Sequence, residues 1–403
     1  GVVFSMMAVI QAVGFFFGHG SGNFISRELG RRNTDSASNM AATGFFSALF
    51  TGLLICVFGE IFLTPLAAFL GSSPTILPYA KDYLRVILIG APWMTASLVL
   101  NNQLRFQGNA IYGTIGIASG AVLNIGLDPL LIFVFDLGVA GAAWATIISQ
   151  FAGFCLLLAG CTRGATLHIH ISRVQLKWSY FKLIIQGGLP SLARQSLASV
   201  ATICLNHAAM PYGDAAIAAM GVVQRITTFG ASAMIGFGQG FQPVCGFNFG
   251  AKRYDRVLES FWFCVKVSAV FLMTLAVVSF IGAPQIMRVF RKEDLDVIEI
   301  GTWAMRFQCL TLPLSAWIIM SNMLTQTIGY GFRASFVAAG RQGLFLIPAL
   351  FVLPVRFGIR GLQWCQPVAD ALTFVLGAVI VLGILKELKG KAAEADKEPR
   401  NVA

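Results

Sequence analysis

Residues 18–35 read GHGSGNFISRELGRRNTD, and residues 238–255 read GQGFQPVCGFNFGAKRYD. Gly18, Gly20, Gly30 and Asp35 fall on Gly238, Gly240, Gly250 and Asp255 at one offset of two hundred and twenty residues, with Arg32 over Lys252. The same offset sets Gly138, Gly141 and Trp144 of LGVAGAAW on Gly358, Gly361 and Trp364 of FGIRGLQW, and the opening GVV on Gly221–Val223. With one residue of drift, Pro92, Asn101 and Gly108 fall on Pro313, Asn322 and Gly329. A spacing held across most of a half-chain is a duplication, so the sequence describes two homologous lobes.

The lobes are written in membrane language. Of 403 residues, 56% are hydrophobic and only 12% charged, against roughly a quarter charged in soluble domains. Windows 1–26, 36–59, 86–104, 106–127, 137–162, 195–213, 226–251, 267–287 and 307–332 contain no Lys, Arg, Asp or Glu, and a bilayer core needs about 18–20 such residues. Two shorter stretches, 342–355 and 371–385, become spans only across Arg341 and Asp370. Eleven crossings are therefore expected. The apolarity is continuous rather than alternating, which selects helices over a barrel.

The expected fold is an all-α polytopic membrane protein with two homologous six-helix lobes. The second lobe opens with a span, about 183–209, whose counterpart would precede Gly1, so the first helix and part of the second are expected to be missing from this chain. The expected division is an N-lobe over 1–161, a basic cytoplasmic linker over 162–181, a C-lobe over 182–386 and a cytoplasmic tail over 387–403. Parallel repeats of this kind are the plan of a transporter that works by alternating access.

The net charge of +11 does not point to nucleic acid. Lys and Arg gather in alternate loops, among them Arg31 and Arg32, Arg173 to Lys182, Lys252 to Arg256 and the tail, which the positive-inside rule places in the cytoplasm. Eight scattered cysteines show no Cys-x-x-Cys pair, and the HIH of His168–His170 in the basic segment reads more simply as solvated than as metal-bound. No Ser/His/Asp set, paired carboxylates or metal-spaced histidines appear, so an enzyme is not expected, nor a cofactor. Gly18–Gly20 and Gly238–Gly240 lie inside apolar helices without a following Lys-Ser/Thr, so close helix approach explains them better than phosphate binding.

In AVLNIGLDPLL, Asn124 and Asp128 stand one helical turn apart on one face. Pro129 cannot donate to the carbonyl of Ile125, which adds a third oxygen beside them. An acid inside an apolar span is a candidate for function by default: this one could exchange a proton, the oxygen cluster could hold Na⁺, or Asp128 could simply cap a kink or pair with a buried cation. The second lobe carries Arg194, Arg225 and Asp370 within or near apolar spans, where unpaired charge is costly, so a buried ion pair, Arg194 with Asp370, or a watery cavity is expected. Candidates for a substrate cavity are Met6, Met7 and Gln11, with polarizable or amide side chains, and Asn101, Asn102 and Gln103; ordinary packing is the plainer reading of the methionines.

GFGQGFQPVCGFNFGAKRYDR, GLPSLARQS and the long block NNQLRFQGNAIYGTIGIASGAVLNIGLDPLLIFVFDLGVAGAAWATIISQ resemble the multidrug and toxic compound extrusion (MATE) family, in its bacterial MepA-like branch, over nearly the whole chain. The resemblance implies a monomeric antiporter of the bacterial inner membrane, driven by H⁺ or Na⁺ and exporting amphipathic, often cationic drugs, with both termini cytoplasmic. It also assigns Asn124, Asp128 and Thr146 to a cation-coupling site, which the family completes with an Asp from its first helix. A flippase for lipid-linked oligosaccharide is the nearest alternative; a pyrophosphate cargo would want a ring of intramembrane cations, and those are few here.

Overall fold

The computed structural model describes residues 4–70, 72, 74–163, 167, 169–290 and 294–395; the opening GVV, His168 and the end of the tail lie outside the described residues. Fourteen α-helices follow one another, with no strand among the described residues. They are α1 (Phe4–Gly30), α2 (Thr34–Ile61), α3 (Leu63–Phe69), α4 (Leu77–Phe106), α5 (Ala110–Pro129), α6 (Gly138–Arg163), α7 (Trp178–Ala209), α8 (Gly213–Gly250), α9 (Tyr254–Ile281), α10 (Ala283–Phe290), α11 (Leu295–Thr311), α12 (Leu314–Thr327), α13 (Gly331–Ala339) and α14 (Leu346–Ala395). Two π-helical turns interrupt them, Leu130–Val134 after α5 and Gly340–Leu344 before α14.

Among the described residues, seven helical segments are long and apolar enough to cross a membrane, or eight if α11 and α12, bent by 53° at Leu312–Pro313, form one crossing. The stretch Gly331–Ala395 counts there as a single segment of 65 residues, but Gly358 within it has φ 60° and ψ −143°, so two helices meet at that residue. Dividing it there gives nine; α7 and α8 are long enough but fall outside that apolar set, and the eleven crossings expected from the charge-free windows are reached only by counting both. Exposed Phe50, Ile61, Ile125, Val270, Phe351 and Val379 are a liability in water and the ordinary outer face of a protein in lipid.

The chain forms two compact units, Gly1–Leu192 and Ala193–Ala403, and the division falls inside α7. In the first, α4 packs against α1, α2, α5 and α6. In the second, α8 packs against α9, α11 and α12, while α14 packs against α9, α11 and α12.

The repeat is visible in the backbone. Arg32 and Lys252 (φ 63° and 59°), Gly108 and Gly329 (89° and 103°), and Gly138 and Gly358 (53° and 60°) are left-handed residues at equivalent positions. The turns they make carry the same hydrogen bonds: Asn33 N donates to Glu28 O and Arg253 N to Asn248 O, each at 2.9 Å, while Asn109 N donates to Leu104 O at 2.9 Å and Tyr330 N to Thr325 O at 3.0 Å. These are helix C-terminal closures in which a left-handed residue lets a following N–H return to an orphan carbonyl. Side chains repeat as well. Asn101 Nδ2 donates to Gly113 O at 2.8 Å and Asn322 Nδ2 to Ala334 O at 2.6 Å, so one asparagine in each half ties a helix to its successor. A Cβ at Gly18 would press on Asn102, and one at Gly238 on Met323, which is close helix packing.

Candidate functional site

In α5 the only fully buried residues are Gly113, Gly116 and Gly120. Gly116 and Gly120 meet α6 at Gly153 and Ser149: a Cβ at Gly120 would lie 3.0 Å from Ser149 O, and one at Gly153 2.8 Å from Gly116 O. The glycines therefore set the register of the pair, and one turn further along α5 Asn124 comes level with the Thr146 turn of α6. Asn124, Asp128 and Thr146 are all half-buried.

Asn124 Nδ2 donates to Asp128 Oδ1 at 3.3 Å, which brings together the two residues that helical spacing placed on one face. The Thr146 hydroxyl donates to Ala142 O of its own helix at 2.9 Å. Immediately after Asp128, Pro129 ends the α-helical ladder, and Leu130 N donates back to Leu127 O as the chain widens into the π turn. Proline withdraws a donor, and the π turn redistributes the carbonyls it leaves. An acid held by one long amide bond at a change of helical pitch keeps coordination capacity for an added ion or proton, since a carboxylate has about four lone-pair directions.

The second unit uses its acid differently. Asp370 is fully buried. Its Oδ1 accepts from Arg341 Nε at 2.9 Å and Gln366 Nε2 at 2.9 Å, and its Oδ2 accepts from Gln308 Nε2 at 2.8 Å. The expected pairing of Asp370 with Arg194 is thus corrected: the salt bridge is to Arg341. Arg341 lies in the π turn before α14 and Asp370 lies in α14 beyond the reversal at Gly358, so antiparallel packing about that turn places them side by side. The signal was present in the sequence, because the two charges that interrupt consecutive spans have opposite sign and lie on either side of FGIRG.

Arg194 NH1 instead donates to Asn322 Oδ1 at 3.3 Å. Arg225, expected among the buried charges, is exposed, as is Phe229 one turn further along α8. Arg194 and Arg341 both line a cavity of about 230 Å³ in this unit, with Gln224, Asn322 and Gln366 adding polar groups.

The proposed cavity residues of the first unit do not gather on one wall. Asn102 and Gln103 are fully buried; Gln103 Nε2 donates to Ser21 Oγ at 3.1 Å and Ala41 O at 3.0 Å, and Asn102 bonds Leu98 O and Arg105. Asn101 is occupied with Gly113. Gln103 and Asn101 join helices and Asn102 bonds within α4, because a buried amide in lipid must find partners. Met6 is buried in an apolar cluster with Ile10 and Leu84, Met7 packs on its edge, and Gln11 is exposed.

The MatE family model matches residues 1–130 and 190–352, a stretch that contains Asn124, Asp128, Arg194 and Arg341. The chain is 28% identical over 384 residues to the multidrug export protein MepA of Staphylococcus haemolyticus (strain JCSC1435), covering 95% of this chain and 84% of that protein. It is 27% identical over 385 residues to MepA of Staphylococcus aureus (strain MSSA476), with the same coverage. Its fold matches a crystal structure of MATE in the bent conformation with a TM-score of 0.91 at 24% identity, covering 98% of this chain and 88% of that one. An outward-facing multidrug resistance MATE family transporter of the MOP superfamily matches with 0.90 at 23% identity, covering 97% and 88%. Repeat, fold and sequence agree: this chain belongs to the MatE family and is a multi-pass membrane transporter.

Proposed function

We propose that the protein is an antiporter of the bacterial inner membrane, with a cytoplasmic C-terminus, that exports amphipathic cationic compounds by alternating access of its two repeats in exchange for H⁺ or Na⁺. The coupling acid is Asp128, with Asn124 and Thr146 as further oxygen ligands. The observation that carries this reading is the state of Asp128: an acid in an apolar helix, half-buried, met by a 3.3 Å amide bond and followed at once by a π turn. Such a carboxylate can take a proton, or a sodium ion with the neighbouring amide oxygen, without breaking a salt bridge. The π turn gives the helix a place to bend when the charge changes. Export of multiple drugs by the staphylococcal relatives supports the substrate class. Two arginines line the cavity of the second unit, fewer than the ring of cations that a pyrophosphate-bearing cargo would want.

Ion and drug compete in this scheme, so the test is competition. Ethidium binding to the purified protein is expected to weaken as pH falls or Na⁺ rises, and the Asp128→Asn protein is expected to bind ethidium with no response to either. Unaltered pH and Na⁺ dependence in Asp128→Asn would remove Asp128 from the coupling role.

A further inference from the structure

The cavity of the second unit has an electrical balance that cation export does not use. Two guanidiniums border it, Arg194 and Arg341. The acid beside them, Asp370, sits behind the wall and is already met by Arg341, Gln308 and Gln366. One positive charge therefore remains without a carboxylate among the described residues around the cavity. In an apolar span such a charge is stabilised only by water, a shifted bilayer or a counter-charge.

The donors are also held in place. Arg341 gives Nε to Asp370, which leaves its terminal N–H groups for the cavity. Asn322 commits its amide nitrogen to Ala334 O, so its oxygen is turned to Arg194 and fixes that side chain at the rim. The cavity is also lined by apolar side chains, Ile235, Ile318, Ile319 and Val337. A dry cavity of roughly 150 Å³ accepts benzene, so about 230 Å³ accommodates one ring together with an acidic group. A planar guanidinium matches a carboxylate bidentately, which a point charge does not.

We propose that this cavity is a binding subsite for a compact amphipathic carboxylate, whose acidic group lies between Arg194 and Arg341 while its apolar body rests on the isoleucine wall. The site repels the cations assigned to transport above, and it stands independently of coupling at Asp128 because it requires no gradient.

Calorimetric titration of the detergent-solubilised full chain with benzoate, neutral benzamide and benzamidinium tests the assignment. Benzoate is expected to bind at least about tenfold more tightly than benzamide, the scale of one charge-assisted contact, and benzamidinium more weakly than either. Arg194→Gln is expected to erase the preference for benzoate and keep benzamide binding, while the exposed control Arg225→Gln leaves the preference intact. Benzamide binding as tightly as benzoate, or an undiminished preference in Arg194→Gln, overturns the proposal. If Arg194→Gln does not fold, the wild-type ratio decides alone.

Discussion

Each half of the molecule places one acid in an apolar helix, and the two acids live under opposite conditions. Asp370 is fully buried and accepts three hydrogen bonds of 2.8–2.9 Å, one of them from a guanidinium. Asp128 is half-buried and accepts one bond at 3.3 Å from a neutral amide of its own helix. A carboxylate surrounded by fixed donors is held in place by its partners, because removing it would strand an arginine. A carboxylate with vacant lone pairs can change occupant at little cost to its surroundings. The difference separates a structural anchor from an exchange site, although both read as lone intramembrane acids.

The largest effect expected from this contrast is on stability. Asp370→Ala leaves the half-buried Arg341 without its counter-charge and is expected to lower unfolding stability by about 3 kcal/mol, seen as loss of folded protein in detergent. Replacing Arg341 and Asp370 together with Gln and Asn is expected to recover a substantial part, and a double-mutant cycle measures how much. Next in size is a comparison of two equivalent glycines. At Gly18 an added Cβ would meet Asn102 Nδ2 at 2.7 Å, and that amide is pinned by Leu98 O and Arg105, so Gly18→Ala is expected to cost roughly 1–3 kcal/mol by overpacking. At Gly238 the neighbour is the flexible end of Met323, which can swing aside while the helix gains from alanine, so Gly238→Ala is expected to change thermal stability by under about 1 kcal/mol. Smallest is Asp128→Asn, expected to stay within about 0.5 kcal/mol of wild type; a loss as large as that of Asp370→Ala would erase the distinction between the acids.

The sequence made the duplication legible because the turns that close each repeat need residues able to adopt positive φ, and those needs recur at one spacing to within a residue: Gly108 with Gly329, Gly138 with Gly358, Arg32 with Lys252. The Asn124–Asp128 contact was legible because helical geometry alone puts residues four apart together. What was not legible depended on helix rotation. Apolar residues surround a lipid-spanning helix on all sides, so hydrophobic periodicity does not mark the inward face. Asn102 and Gln103 for that reason read as cavity lining, whereas Gln103 bridges helices and Asn102 bonds within its own, and Arg225 reads as a buried charge although it is exposed. Nothing in the sequence ranks Arg194 against Arg341 as the partner of Asp370, because both are single charges in apolar surroundings and only the packing of α14 on the turn before it brings Arg341 to the acid.

Uphill export is the most direct trial of the difference between the two acids. Full-length protein in liposomes, energised in turn by a pH gradient and a Na⁺ gradient, should concentrate ethidium against its gradient under at least one of them, and Asp128→Asn of equal abundance and folding should bring ethidium only to equilibrium. Accumulation by Asp128→Asn at the wild-type rate and extent, under the same gradient, would show that the ion is exchanged elsewhere.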